Sequence, residues 1–443
     1  MLVPCEAGRD GGGSRSAGRL AHWRLLALVG MTGLCIAAYL RALGLPFIAD
    51  DYIQISLARD HGPISGWSNL ASDALYRCRA TSLVLTYWTE RLFGLSPLAF
   101  NWSSLVLHII NTWLVFALGY WRVIGWRVSA VTACFFAIFQ GHQEAVIWYA
   151  ALPELLVFLF ALASFLFWIL WLQASRGRWW YYAASLACFI LALLSKEPAV
   201  AVVGLLVLAV WLERRDWRRR MVWILPFAML AVVYFIATFA GRAAHQHFSD
   251  GTFSLSAPFW IVLPRSVGRL LWIWGLVSLV ALTVWRARRW APLLGVAGAW
   301  IVITLLPYSF LTYMPHVPSR HTYFASAGLA LVVAAGFLTF QDRFRARTWA
   351  VCLLAALITL HHCGYLWSRK HRQFLDRAAP TERLIEFARH AEGPIYLRCF
   401  PYSLWVAREA VGVRLGKTVN FIGESRGGPA QLAQSIDCCL SQQ

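Results

Sequence analysis

The run HWRLLALVGMTGLCIAAYLRALGLPFIADDY, residues 22–52, decides how the rest of the chain is read. From Trp23 to Leu43 it is almost wholly apolar. A helix of roughly 20 such residues crosses the ~30 Å hydrocarbon core of a bilayer. The run then ends on Pro46-Phe47-Ile48-Ala49-Asp50-Asp51-Tyr52, with two adjacent carboxylates. It is too long for the apolar region of a signal peptide, and no small-residue cleavage site precedes the acidic pair. A retained first span is therefore expected. Carboxylates at a membrane face are costly unless solvated or paired. Asp50 and Asp51 are thus either a solvated helix end or a functional pair.

Composition carries the membrane reading over the whole chain. Of 443 residues, 59% are hydrophobic and only 14% charged, which excludes an ordinary soluble domain. The 24 Trp, 27 Phe and 15 Tyr suit the two membrane–water interfaces. A formal net charge of +19 would suggest nucleic acid in a soluble protein. Here the arginines sit in short loops between apolar runs, so no nucleic-acid partner is implied. The ten cysteines have no zinc-like or haem-like spacing, and no disulfide framework can be read from them.

Eleven apolar segments are candidate spans: 22–44, 97–119, 128–141, 152–173, 179–195, 198–213, 221–240, 262–285, 290–311, 322–340 and 347–367. With the N-terminus cytoplasmic, the inner loops carry Arg122 and Arg127, Arg176 and Arg178, the cluster Arg214, Arg215, Arg218, Arg219 and Arg220, then Arg286, Arg288 and Arg289, and finally Arg343, Arg345 and Arg347. The short outer loops carry only Lys196, Arg242 and Arg320. That bias puts Asp50 and Asp51 on the extracytoplasmic side. Residues 1–21 read as a disordered basic N-terminus, 22–367 as the transmembrane domain, and 368–443 as a polar C-terminal segment on the extracytoplasmic side. Within the first outer loop, Ala80 to Gly94 has the pattern of a helix lying in the interface, and Ser256 to Leu270 resembles it. In the tail, Pro380 to His390 reads as helical, Gly393 to Pro401 as a short strand, and Gly423 to Pro429 as turn-rich.

Several polar groups fall on the same outer face. A carboxylate is a suitable general base for a hydroxyl if something positions it and excludes water. His142 and Glu144 lie in a loop without Lys or Arg, followed by an aromatic patch. They suit orienting the base or binding acceptor hydroxyls; His-x-Glu alone is a weak metal signal. Lys196, beside Glu197, and Arg320 are the cations available to pair with an anionic substrate group, and Arg is well shaped for phosphate. His108 and Asn111 share one face of the span 97–119 and read first as interhelical hydrogen-bonding glue.

Taken in order, these motifs resemble a family. A first helix ending in Phe-x-x-Asp-Asp, the Arg77 loop, Asn101 to Asn111 with His108, the Glu144 loop, Ser195-Lys196-Glu197 and Arg320-x-x-Tyr323 resemble the GT-C superfamily of glycosyltransferases that use polyprenyl- or dolichyl-phosphate sugars. The branch they resemble most is protein O-mannosyltransferase-like, including the transmembrane O-mannosyltransferases with tetratricopeptide repeats, which this chain lacks. Departures from that pattern are Cys78, Gly141, His321 and Phe324.

The resemblance implies an all-α polytopic transferase acting by single displacement with inversion. An isoprenoid-phosphate sugar would be the donor and a hydroxyl of a protein, lipid or glycan the acceptor. Asp50 or Asp51 would be the catalytic carboxylate; Arg77, His142, Glu144, Lys196, Glu197, Arg320 and Tyr323 would bind substrate; His108 and Asn111 would support them. No cofactor is fixed by the resemblance, and a divalent metal stays open. A bacterial inner membrane is the expected location. Two other classes compete: a transporter or flippase of lipid-linked sugars, which should place ionisable residues mid-span, and a non-catalytic membrane scaffold.

Overall fold

A computed structural model describes residues 13–62, 70, 72–174, 178–213, 216–243, 245, 251–423 and 434–437. Helix α1 (Gly13–Tyr39) begins inside the stretch expected to be disordered, and residues 1–12 lie outside the described ones. It runs into a 3-10 turn, Leu40–Gly44, whose carbonyls would otherwise be orphaned. Asn101 of the next long helix fills that need. Its side-chain amide donates to the carbonyls of Ala42, Leu43 and Leu45 at 3.3, 3.2 and 3.0 Å.

The chain then forms α2 (Asp50–His61), α3 (Ala80–Phe93), α4 (Pro97–Ala117), α5 (Gly125–Ile138) and α6 (Leu152–Gln173). It continues as α7 (Trp179–Leu193), α8 (Ala201–Glu213), α9 (Leu225–Ala240), α10 (Phe259–Leu271) and α11 (Trp274–Val284). After α12 (Ala291–Leu305), α13 (Ser326–Arg343) and α14 (Thr348–Tyr365) comes α15 (His371–His390). α3 and α10 cover the segments read as interfacial, and α10 meets α11 at a 77° bend.

Six helical stretches among the described residues are long and apolar enough to cross a membrane, or seven if the bent pair is one span, against the eleven expected. The remaining candidates are helical too, but α5, α7 and α8 have 14, 15 and 13 residues, so they rise only roughly 20 Å. α13 loses apolar character in its last turn, Gln341-Asp342-Arg343. A run of apolar letters fixes burial in something apolar, not the length of helix that crosses it.

Packing is densest around α6 and α13, which are buried on most faces. Lipid gives no hydrophobic drive for helices to associate, so small residues set their distance. A Cβ on Gly328 would stand 2.8 Å from the Ala297 carbonyl of α12, and one on Gly336 would stand 2.7 Å from Ser278 Cβ of α11. A buried polar lock adds direction. Asn111 donates to the Tyr323 hydroxyl (3.2 Å) and to the Leu155 carbonyl (3.0 Å). The Tyr323 hydroxyl is 2.8 Å from His108 Nδ1, while His108 Nε2 is 3.1 Å from the Ala137 carbonyl. With Nε2–H donating and Nδ1 accepting, one neutral tautomer ties α4, α5, α6 and the segment leading into α13.

The C-terminal part is α/β. Strands β1 (Ile395–Arg398), β2 (Phe421–Gly423) and β3 (Gln434–Asp437) form a parallel sheet in the order β2-β1-β3, with Ile395 opposite Phe421 and Gln434. Helix α16 (Leu404–Leu415) links β1 to β2; Ser403 caps it by accepting from Val406 N–H, and Gly416 ends it with φ +65. α15 starts earlier than expected, at His371, and the turn-rich stretch 424–429 lies outside the described residues. A small separate core, with Leu384, Ile395, Leu397, Ala407, Val411 and Phe421, holds this unit together. It is not detached: α16 packs on α2, and the Tyr52 hydroxyl donates to Glu382 of α15 at 2.9 Å.

Candidate active site

The adjacent carboxylates have opposite fates. Asp51 is 2% exposed, and both its oxygens are used. Ile48 N–H donates to Oδ2 at 2.7 Å and Ala150 N–H to Oδ1 at 2.6 Å. Burial pushes its carboxyl up to about 7, against the pull of those two backbone donors. Asp51 therefore pins the loop after the first span to the loop before α6. The pinned backbone includes Ala49 at φ +42, a conformation costing about 1–2 kcal/mol for an L-residue. Asp50, one residue earlier, points elsewhere. It lines a cavity of about 650 Å³. Burial raises its carboxyl above the ordinary range, with Arg320 and Arg377 pulling the other way.

The same cavity is lined by Lys196, Glu197, Arg320 and His321, brought from two loops more than a hundred residues apart in sequence. Lys196 pairs with Glu154, the buried acid at the head of α6. Glu154 also accepts from the Tyr308 hydroxyl and lies 2.6 Å from His321 Nδ1. Burial, aided by the nearby Lys196, drops His321 to about 3, so it stays neutral and Nδ1–H donates to Glu154. Glu197 accepts from Arg79 at 3.2 Å and from His245 at 2.9 Å. Burial pushes Glu197 up, but Arg79, His245 and Lys196 hold it well below the usual range.

Arg320 lies over the Trp148 ring at 5.1 Å and 3.9 Å from Glu144. At that distance the guanidinium keeps hydrogen-bond donors for another anion. Glu144 also accepts from the Arg320 backbone N–H at 3.2 Å. It therefore acts on the loop that carries Arg320, and it is not part of the cavity lining.

Three expected binding residues sit away from the cavity. Arg77 donates to the carbonyls of Leu70 (2.7 Å) and Ala237 (3.0 Å), joining α9 to the segment before α3. His142 is fully buried with Nε2 2.6 Å from Ser326 Oγ. Tyr323 is fully buried in the lock with His108 and Asn111. In each case the side chain is held inside the helix bundle and not in the cavity lining.

Other residues of the site were not singled out in the sequence. Arg79 lines the cavity where Arg77 does not; two cations flanking Cys78 were visible, but not which one turns inward. Tyr308, Trp405 and Ser403 line it as well. Arg377 of α15 stacks on Trp148 at 4.5 Å and stands 3.9 Å from Glu144. Sequence distance hid Arg377, Ser403 and Trp405. For a metal, the described residues bring Cys78, Glu197 and His245 together, one ligand atom each within 4.8 Å of one another. These donor types suit zinc, but Glu197 already pairs with Arg79, which an ion would have to displace, and contacts His245 directly, a contact that would have to open to admit an ion.

The cavity has two kinds of wall. Phe235, Phe239, Leu255 and Tyr313 line it and are themselves exposed. The basic loops gather at the far end: Asp342 at the end of α13 accepts from Arg127 at 2.8 Å and pairs with Arg289.

Among solved structures the fold is similar to ArnT from Cupriavidus metallidurans in the apo state, with TM-score 0.57 over 92% of this chain and 87% of that chain at 12% identity. ArnT bound to undecaprenyl phosphate gives TM-score 0.55 over 91% of this chain and 86% of that one, at 15% identity. The apo oligosaccharyltransferase of Archaeoglobus fulgidus gives 0.54 over 89% of this chain and 64% of its own length, at 12% identity. The chain thus shares the fold of these solved structures, in an all-helical polytopic membrane domain. No family profile matches the sequence, and comparison with curated proteins finds no match.

Proposed function

We propose that this protein is a membrane glycosyltransferase that moves a sugar from a polyprenyl-phosphate carrier to an acceptor hydroxyl, with inversion, on the extracytoplasmic side. One observation carries the reading. Asp50, Arg79, Lys196 and Arg320 line a single cavity that is apolar where it meets the outside of the bundle. A carboxylate, cations and an apolar opening are what a phosphate-linked lipid sugar and an incoming hydroxyl need together.

Asp50 takes the proton of the acceptor hydroxyl. The acceptor oxygen bonds to the anomeric carbon as the bond from that carbon to the phosphate oxygen breaks. The polyprenyl phosphate leaves with its negative charge held by Arg320, with Arg79 and Lys196 nearby. The upward shift of Asp50 makes it a stronger base than an exposed Asp. Asp51, with both oxygens occupied, positions the loop and not the acceptor. The similarity to ArnT, a structure of which holds undecaprenyl phosphate, supports a polyprenyl-phosphate donor. The motif order favours an O-mannosyltransferase-like activity, and the charge bias of the loops favours an extracytoplasmic cavity.

The test is purified protein in lipid nanodiscs with a panel of polyprenyl-phosphate sugars, monitored for released polyprenyl phosphate. Release is expected with at least one sugar and should fall about a hundredfold or more in Asp50→Asn. Absence of release from every donor, or full activity in Asp50→Asn, would sink the reading.

A further inference from the structure

The C-terminal unit contributes directly to the cavity. Ser403 and Trp405, at the start of α16, line the space that Asp50 lines. Trp405 is half-buried, yet it belongs to neither apolar core among the described residues, while its neighbours Leu404 and Val406 do. Its ring N–H is held by Glu409 one turn on, at 3.0 Å, which fixes the ring's edge. A large aromatic kept out of both cores and oriented by a carboxylate is spending its face on the cavity.

The position within the reaction follows from the two kinds of wall. Arg79 donates to the carbonyl of Cys78, whose thiol takes the Tyr234 hydroxyl, and Lys196 pairs with Glu154, which takes the Tyr308 hydroxyl; Tyr234 shares α9 with the exposed lining residues Phe235 and Phe239. The donor's lipid and phosphate belong there. Asp50 heads α2, and α16 packs on α2. In a single displacement the attacking hydroxyl and the leaving phosphate stand on opposite sides of the anomeric carbon. The part of the lining made by α2 and α16 is then the acceptor's.

We infer that the C-terminal unit forms the acceptor subsite and that Trp405 is its specificity-determining residue, stacking on a saccharide acceptor. A pyranose ring offers a flat face of C–H groups rimmed by hydroxyls. An aromatic face beside the Ser403 hydroxyl matches that chemistry, and the lining of this part holds no cation from the C-terminal unit. The inference rests on the glycosyltransferase reading for its reaction, but it is tested by binding alone.

Full-length protein in detergent is titrated with two probes: undecaprenyl phosphate, and a set of free hexoses and hexose disaccharides followed by saturation-transfer NMR. Wild type should bind a saccharide; Trp405→Ala should weaken that binding about tenfold or more, and Trp405→Phe should restore most of it. Undecaprenyl phosphate binding and the melting temperature should be unchanged in both variants. Saccharide binding that ignores Trp405→Ala overturns the proposal. So does a wild type that binds no saccharide but binds a Ser- or Thr-containing peptide. Loss of both probes together with a lower melting temperature would also overturn it, by reducing Trp405 to a structural role. If saccharide binding depends on Trp405 while undecaprenyl phosphate does not bind wild type, the subsite stands and the polyprenyl-phosphate reading fails.

Discussion

Replacing Asp51 by Asn and, separately, Asp50 by Asn should give two different failures from adjacent positions. Asp51 receives two backbone N–H groups, one on each oxygen, at 2.7 and 2.6 Å in a site 2% exposed. Asn keeps one acceptor and turns an NH2 toward the other N–H, so one buried donor loses its partner. The loss of such a bond with its partner left buried costs about 1–3 kcal/mol. Removing a carboxylate that burial already disfavours gives part of that back, so a net cost of about 2 kcal/mol is expected. The assay is a thermal melt in detergent beside release of polyprenyl phosphate. Asp51→Asn should melt lower; Asp50→Asn should melt as wild type and lose about a hundredfold or more in rate.

The pH dependence has a definite sign. A buried acid whose folded value is raised favours the protonated folded state. The stability this confers is full in acid and is lost as pH rises from the unfolded value, about 4, toward about 7. Asp51→Asn lacks that loss, so the gap between the two proteins should narrow across this window. A hundredfold rate loss in Asp51→Asn with an unchanged melt, and an active Asp50→Asn, would refute the division of roles.

Three further outcomes follow from named contacts. Arg377→Gln removes a charge that lowers Asp50, so the acidic limb of kcat/KM against pH should move to higher pH; a fixed limb would exclude Asp50 as the base. Glu154→Gln strands Lys196, Tyr308 and His321, and breaking such a buried pair costs about 3–5 kcal/mol; a double-mutant cycle with Lys196→Gln should be strongly non-additive, whereas additivity would mean the two do not interact. Ala49→Gly relieves φ +42 and should raise the melting temperature, by the equivalent of about 1 kcal/mol; a lower melt would show that the backbone there is not strained.

Much of the helix inventory was legible because burial in lipid or in a bundle demands apolar runs, and each run expected to span became helix. The number long enough to span was not, because α5, α7 and α8 are apolar runs that fold into helices of only 14, 15 and 13 residues. Among polar residues, charge type and loop position picked out Asp50, Lys196, Glu197 and Arg320, which meet in one cavity. The same reasoning picked His142 and Tyr323, which are buried inside the bundle on Ser326 and His108.

The sequence by itself determined that this chain lives in a membrane, that an acidic pair follows its first span, and that cations recur in a few loops. These are local matters of composition and spacing. Only the tertiary structure decided which acid of the pair is available. Adjacent side chains leave the start of α2 in different directions, and the two oxygens of Asp51 are taken up by Ile48 N–H beside it and by Ala150 N–H in a loop a hundred residues away. It also brought Trp405 and Arg377, more than three hundred residues on, beside that same helix. Long-range packing is not encoded in any window of the chain, because it depends on which surfaces meet.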